Sequence, residues 1–389
     1  MNIIFNRSYF RAVFVLVVAV NLLSCNSKPN DPSNNPTIVS DKVENLYAKG
    51  FTIEKHKDYK VVSVFNPWQH AQGIVFKYIL ADDISLLPDS LKKYTVIQTP
   101  VKKLVCLSTT HIAFLKALHQ EKVISGIAAP EFVYDADIRS QVNNGKILNV
   151  GYDQAINIET IISLKPDFVM AYGVGSEASG QFERLKQLGV KVVFNAEYLE
   201  NTPLGKAEWI KFVGAFCNQE DSANAFFQRT VYEYKELVKL ASKTAKKPVI
   251  LSGLPWKGVW YVPGGNSYAS SFIKDAGGDY LWNSDKGTES IPLSLETVME
   301  KANNAKIWIN PGSVLSLSEI ASLDSRMKSV TSFLSQQVYN FNARTSPGGG
   351  NDFWESGVVY PQVILKDLIS VFHPELLPNH TFVYYNKLK

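Results

Sequence analysis

The chain has 389 residues, 46% of them apolar and 12% aromatic, with a formal charge of +4. That length is enough for two or three domains of ordinary size, and so slight a charge gives no electrostatic basis for binding nucleic acid. The six histidines are scattered, without paired spacing or a Cys–His cluster, which argues against a free-metal site.

Residues 1–24 read as an export signal. Arg7 and Arg11 precede an apolar run from Ala12 to Leu23. That run is shorter than the roughly 20 residues a bilayer span requires. It closes in Leu22-Leu23-Ser24-Cys25, which looks like a bacterial lipobox and implies cleavage before Cys25 and lipid on its thiol. An acylated residue carrying two or three chains holds a protein firmly to a membrane. Removing Arg7 and Arg11 leaves a charge of +2 (4 − 2). Residues 25–44, rich in Asn, Pro, Ser and Asp, are expected to form a disordered tether. Asn26 is not an acidic retention signal, so which membrane holds the lipid stays open.

Residues 45–198 are expected to carry a β-rich extension and a first lobe. Strands are predicted at Phe51–Ile53, Val61–Phe65, Ile74–Leu80 and Tyr94–Gln98, as a small antiparallel cap. From Lys103 the pattern alternates. Strands at Leu104–Leu107, Val123–Ile127, Ile147–Val150, Phe168–Ala171 and Val190–Phe194 are interleaved with helices over His111–Leu118, Ile158–Leu164 and Gln181–Leu188. Thr109 or Thr110 is the expected N-cap of the first. This is the pattern of a parallel sheet with covering helices. Cys106 and Cys217, the cysteines left after Cys25, read as small buried hydrophobes, and nothing in the sequence brings them together.

Residues 199–247 form a linker dominated by one long helix, expected from Glu220 to Lys247. Phe227, Val231, Tyr234, Val238 and Ala241 make an apolar stripe. Acids stand at its start, Lys243, Lys246 and Lys247 at its end, and Pro248 stops it. Such a rod would span roughly 40 Å. Residues 248–389 then repeat the alternation. Strands are expected at Val249–Leu251, Val259–Val262, Ile307–Asn310 and Val338–Phe341. Helices are expected at Tyr268–Ala276, Leu295–Ala302 and Val363–Phe372. Asn157-Ile-Glu-Thr before one helix–strand unit echoes Ser294-Leu-Glu-Thr before another. The expected fold is therefore α/β: two similar lobes with mostly parallel sheets, joined by one rigid helix, plus the N-terminal β extension.

Two such lobes leave a cleft, and open parallel sheets bind ligands beyond the carboxyl ends of their strands. The loops expected there are aromatic: Phe132, Tyr134, Tyr152 and Tyr172 on one side, Trp256, Trp260, Tyr261, Phe353 and Trp354 on the other. Trp260 and Tyr261 read equally as core residues of a strand. Arg344 and Lys257 add positive charge. Flat rings with a few cations suit a large planar or anionic ligand. Pro347-Gly-Gly-Gly350 reads as a connector, or as a hinge or lid. Gly265-Asn-Ser267-Tyr-Ala269 lies between a strand and a helix as a nucleophile elbow does. Ser267 is equally a good N-cap, and no acid and histidine follow in a triad arrangement.

Taken together, Val105-Cys-Leu-Ser-Thr-Thr-His111, the run Asn157 to Val169, the segment Gln181–Val193, Asp275-Ala-Gly-Gly278, Ser294-Leu-Glu-Thr-Val298 and Asp352-Phe-Trp-Glu355 resemble one family. It is the iron-chelate/cobalamin family of ABC-transporter substrate-binding proteins. The likeness runs from about Val101 to the C-terminus. It implies lobes that move little about a helical backbone, and a surface glutamate on each lobe, here Glu177 and Glu296, docking onto arginines of the permease. It places Tyr172, Phe353-Trp354 and the loop Trp260–Ser267 against the ligand. Relatives that bind free zinc or manganese use several histidines, whereas only His111 falls near this cleft, which favours a whole chelate.

The expected function is a lipid-anchored, monomeric binding protein without enzymatic chemistry or cofactor. It would deliver an iron–siderophore, haem or corrinoid to an ABC importer. A serine-type hydrolase using Ser267 or His111, and an interaction lipoprotein with a vestigial cleft, are the alternatives.

Overall fold

The structure is a computed structural model describing residues 41–152, 155–173 and 175–389, with side chains from residue 44 in the first segment and from residue 180 in the last. Cys25 and the side chain of Glu177 lie outside the described residues.

The extension is a five-stranded sheet of β1 (Asp41–Val43), β2 (Phe51–Lys55), β3 (Lys60–Phe65), β4 (Val75–Ala81) and β5 (Thr95–Gln98), paired in chain order. It is not wholly antiparallel as expected. β5 runs parallel to β4, with Tyr78 opposite Thr95, because two 3-10 turns between them carry the chain back before it re-enters the sheet.

Lobe one contains β6 (Leu104–Cys106), α1 (Thr109–Ala117), β7 (Ile124–Ile127), α2 (Ala136–Asn143), β8 (Leu148–Asn149), the short pair β9 (Gly151–Tyr152) and β10 (Ala155–Ile156), α3 (Ile158–Leu164), β11 (Phe168–Ala171), α4 (Gly175–Gln187) and β12 (Val192–Phe194). Its sheet is parallel throughout, in the order β12-β11-β6-β7-β8. The N-cap of α1 is Ser108, not Thr109 or Thr110. Ser108 is extended, and its hydroxyl accepts the Thr110 N–H at 3.3 Å.

The linker is α5 (Pro203–Glu208), α6 (Ile210–Phe216) and α7 (Glu220–Ala241). The long helix is unbroken for 22 residues, about 33 Å, and ends six residues before Lys247. The N–H groups of Lys243 and Thr244 bond Leu240 and Ala241, tightening the last turn. The Thr244 hydroxyl then bonds the backbone of Lys246, a local alternative to helix.

Lobe two contains β13 (Val249–Ser252), β14 (Pro255–Trp256), β15 (Val259–Pro263), α8 (Tyr268–Asp275), β16 (Asp279–Tyr280), β17 (Ser290–Ser294), α9 (Leu295–Ala302), β18 (Ile307–Ile309), α10 (Leu317–Leu323), α11 (Thr331–Leu334), β19 (Val338–Asn340), α12 (Pro361–Phe372) and β20 (Asn386–Lys387). Its main sheet is β16-β13-β18-β19-β20, parallel except for β20, and β14-β15-β17 form a small antiparallel sheet. Counted within each lobe, the strand orders are 3-2-1-4-5 and 2-1-3-4-5. The lobes are thus alike in architecture and different in strand order.

Two large hydrophobic cores result, beside a small one of Ile79, Ala81 and Leu87 on the other face of the extension's sheet. The first joins the extension, lobe one and α6; the second fills lobe two and takes in α12. α7 belongs to both, through Ala223 and Phe227 at one end and Tyr234 and Ala241 at the other. A rod buried in two cores resists bending. The extension is fixed to the linker. Phe51 packs 4.7 Å from Trp209 and 5.6 Å from Phe212 between ring centroids. The Glu200 carboxylate accepts the N–H groups of Lys49 and Gly50. The Lys60 ammonium donates to Ala215, Asn218 and Glu220. Cys106 and Cys217 are free and buried, and burial pushes the Cys217 thiol up to about 12. Among the described residues no helix is long and apolar enough to cross a membrane.

Candidate functional site

In each lobe the strand order reverses at one point, between β6 and β11 in lobe one and between β13 and β18 in lobe two. Loops leaving the carboxyl ends of these strands carry the groups best placed to meet a ligand.

On the first lobe these are His111 and Tyr172. Tyr172 is half-buried, with its ring edge-on to His111 at 6.5 Å and to Tyr198 at 6.2 Å. His111 is fully buried, and neither ring nitrogen has a hydrogen-bond partner among the described residues. Burial lowers its pKa to about 3, so the ring is neutral. Glu197 lies nearby, also buried, its carboxyl raised by burial against a hydrogen bond from Thr110 and the charge of Lys206. The Tyr198 hydroxyl donates to the Gly173 carbonyl, and burial pushes it up to about 12.

A groove of about 770 Å³ opens at Tyr198, between the extension and linker on one side and lobe two on the other, with His111 and Tyr172 outside its lining. Trp68, Tyr198 and Lys206 line one side, Tyr261, Tyr268 and Trp354 the other. The Lys206 ammonium lies 4.4 Å from the centre of the Tyr268 ring. Burial lowers its pKa, opposed by Glu197 and Glu200. With Glu200 and Glu289 also at the groove, its walls are aromatic and not strongly cationic.

The sequence-predicted residues divide. Tyr261 and Trp354 line the groove, 46% and 50% exposed. Trp256 is exposed on the β14–β15 hairpin with the Lys257 ammonium 4.5 Å over its ring, away from the groove's lining. Trp260 does not face a ligand. It is fully buried and its indole N–H donates to the Ser252 carbonyl at 3.1 Å. Phe353 is likewise a core residue, 4.7 Å from Phe341 and 4.8 Å from Trp354. Arg344 is engaged already: its Nε stands 2.8 Å from Asp352 and its guanidinium 4.9 Å from the Tyr134 ring. It lines a different cavity, of about 810 Å³, with Lys116, Asp135, Arg139 and Glu355. The cation at the groove is Lys206, in a segment that reads only as linker.

The Pro347–Gly350 loop is a packed seam between lobes. A Cβ on Gly350 would fall 1.9 Å from the Phe132 carbonyl oxygen, so glycine alone allows this approach. Ser346 donates to the Glu131 carbonyl at 3.0 Å. The Glu355 carboxylate, from lobe two, accepts the N–H groups of Tyr134 at 2.7 Å and Asp135 at 3.0 Å in lobe one.

Glu296 stands exposed in the first turn of α9, 2.9 Å from Arg326. Its own backbone N–H and then Arg326 hold its carboxyl below the usual range. Ser267 caps α8, accepting the Ser270 N–H at 3.3 Å. Among the described residues its hydroxyl is otherwise paired only with that of Ser270, and no triad forms. Ser267→Ala is expected to cost about 1 kcal/mol of stability through the lost cap, read as a lower denaturation midpoint.

A family model described as "Periplasmic binding protein" matches residues 104–337. An uncharacterised lipoprotein of Methanocaldococcus jannaschii is 28% identical over 327 residues, 80% of this chain and 76% of the relative. The vitamin B12-binding protein of Salmonella typhimurium is 34% identical over 107 residues, 27% of this chain and 38% of that one. The solved periplasmic haem-binding protein of Pseudomonas aeruginosa superposes with a TM-score of 0.56 at 15% identity, covering 74% of this chain and 98% of that one. At such identity the superposition shows a shared fold.

Proposed function

This chain belongs to the periplasmic binding protein family, the non-enzymatic substrate-binding components of ABC transporters, and from that premise we propose that it captures an iron–siderophore, haem or corrinoid and delivers it to its permease from a lipid anchor at Cys25. The groove that faces lobe two from the extension and linker carries the reading. It is large enough for most of a macrocycle or chelate, walled by rings from both sides, and held open by a helix that both cores grip. Affinity comes from stacking on Trp68, Tyr261, Tyr268 and Trp354 in the groove, and on Tyr172 beside Tyr198, with Lys206 as the one ammonium lining the groove among the described residues. Glu177 and Glu296 are the proposed contacts to the permease. On Glu296 this requires the exchange of Arg326 for a permease arginine. The relatives named for vitamin B12 and haem support the ligand class, as do the lipoprotein relatives for the anchor.

The test is binding by the whole exported protein. Haemin, cyanocobalamin and ferric siderophores are titrated separately while melting is followed. A ligand at 100 times its Kd is expected to stabilise the fold by about 2.7 kcal/mol, and protein from its native source is expected to show that ligand's absorbance bands. A melting temperature indifferent to all three classes would overturn the reading.

A further inference from the structure

The five-stranded extension lies outside the residues that the family model matches, yet its β3–β4 loop reaches the groove. We propose that this loop, Asn66–Gly73, is a third wall of the ligand site, with Trp68 as an aromatic contact and Gln69 and His70 narrowing the mouth. The proposal rests on the groove being the ligand site.

The loop is a built element. Asn66 closes its base, its N–H donating to the Ile74 carbonyl at 2.8 Å and its side-chain oxygen accepting the Ile74 N–H at 3.1 Å. Ala71 turns back onto the Trp68 carbonyl at 3.2 Å. Trp68 forms a bridge with Gly173, just beyond β11, where a Cβ would meet Trp68 and Pro67 at 3.0 Å. One edge of the indole is wedged against Phe76 and Phe194, at 6.1 and 5.9 Å between centroids. The side chain nonetheless lines the groove. At the tip, His70 Nε2 lies 3.7 Å from Glu289 of lobe two. The loop therefore starts from a sheet fixed to the linker and crosses towards the opposite lobe. A guest must pass this arm to enter, and a seated guest meets Trp68.

The test uses the full exported protein with haemin, cyanocobalamin and a ferric siderophore as probes, followed by tryptophan quenching and stopped flow. For whichever probe the parent binds, Trp68→Ala is expected to raise Kd about tenfold, and Trp68→Phe to stay within threefold. The double variant Gln69→Ala/His70→Ala, altering exposed side chains, is expected to melt with the parent and associate at least threefold faster. A Trp68→Ala protein that binds within twofold of the parent overturns the contact. An unchanged association rate in the double variant overturns the narrowing of the mouth. A parent that binds none of the probes removes the ligand-site reading first, and this inference falls with it.

Discussion

Glu208→Ala is expected to destabilise the protein by about 3–5 kcal/mol, the largest loss from any single substitution considered. The Glu208 carboxylate is fully buried. It accepts the N–H groups of Leu46, Tyr47 and Ala48 at 3.0, 2.7 and 2.8 Å, and pairs with Lys211 at 2.6 Å. Lys211 is itself almost wholly enclosed, its ammonium 4.9 Å over the Phe227 ring. Alanine would strand that cation away from water and orphan three backbone donors at once. Chemical denaturation measures the total, and amide exchange locates it: Leu46–Gly50 should lose protection ahead of the lobes. A loss under about 1 kcal/mol would mean that the entry segment is held by something else.

Between about pH 4.5 and 7 the protein is expected to lose stability as pH rises, by about 3 kcal/mol, and Glu355→Gln is expected to flatten that slope. Glu355 is 3% exposed, and burial pushes its carboxyl up to about 7. The N–H groups of Tyr134 and Asp135 pull it down, and the charges of Asp352 and Asp135 raise it further. The folded chain thus holds a proton here that the unfolded chain has released. The stabilisation is complete below the unfolded pKa, near 4.5, and gone once pH passes the folded one. Lys116 and Arg344 face the same junction, each already paired with an aspartate. Melting scans across this range on both proteins decide it. A glutamine variant keeping the parent's slope would assign the proton to another group.

The architecture was legible where periodicity was clean. α3, α9 and β11 have the bounds expected of them. α2 escaped because it buries a single residue, Ile138, and so shows no stripe. α5 escaped for the opposite reason, being buried almost all round. The site was legible only in part. Composition marked aromatic loops, but β15 alternates, turning Trp260 and Val262 inward and Tyr261 outward, and a parity of one residue decides which ring meets solvent. Arg344 looked free because its partner Asp352 is found only once the chain folds back. Trp68 and Lys206 gave no local signal, since their place depends on how the extension docks onto distant helices.

Phe51 and Tyr78 of the sheet cover Trp209, Phe212 and Phe216 of the connecting helices. Removing the N-terminal strands alone would bare these adjoining rings as one adhesive apolar surface.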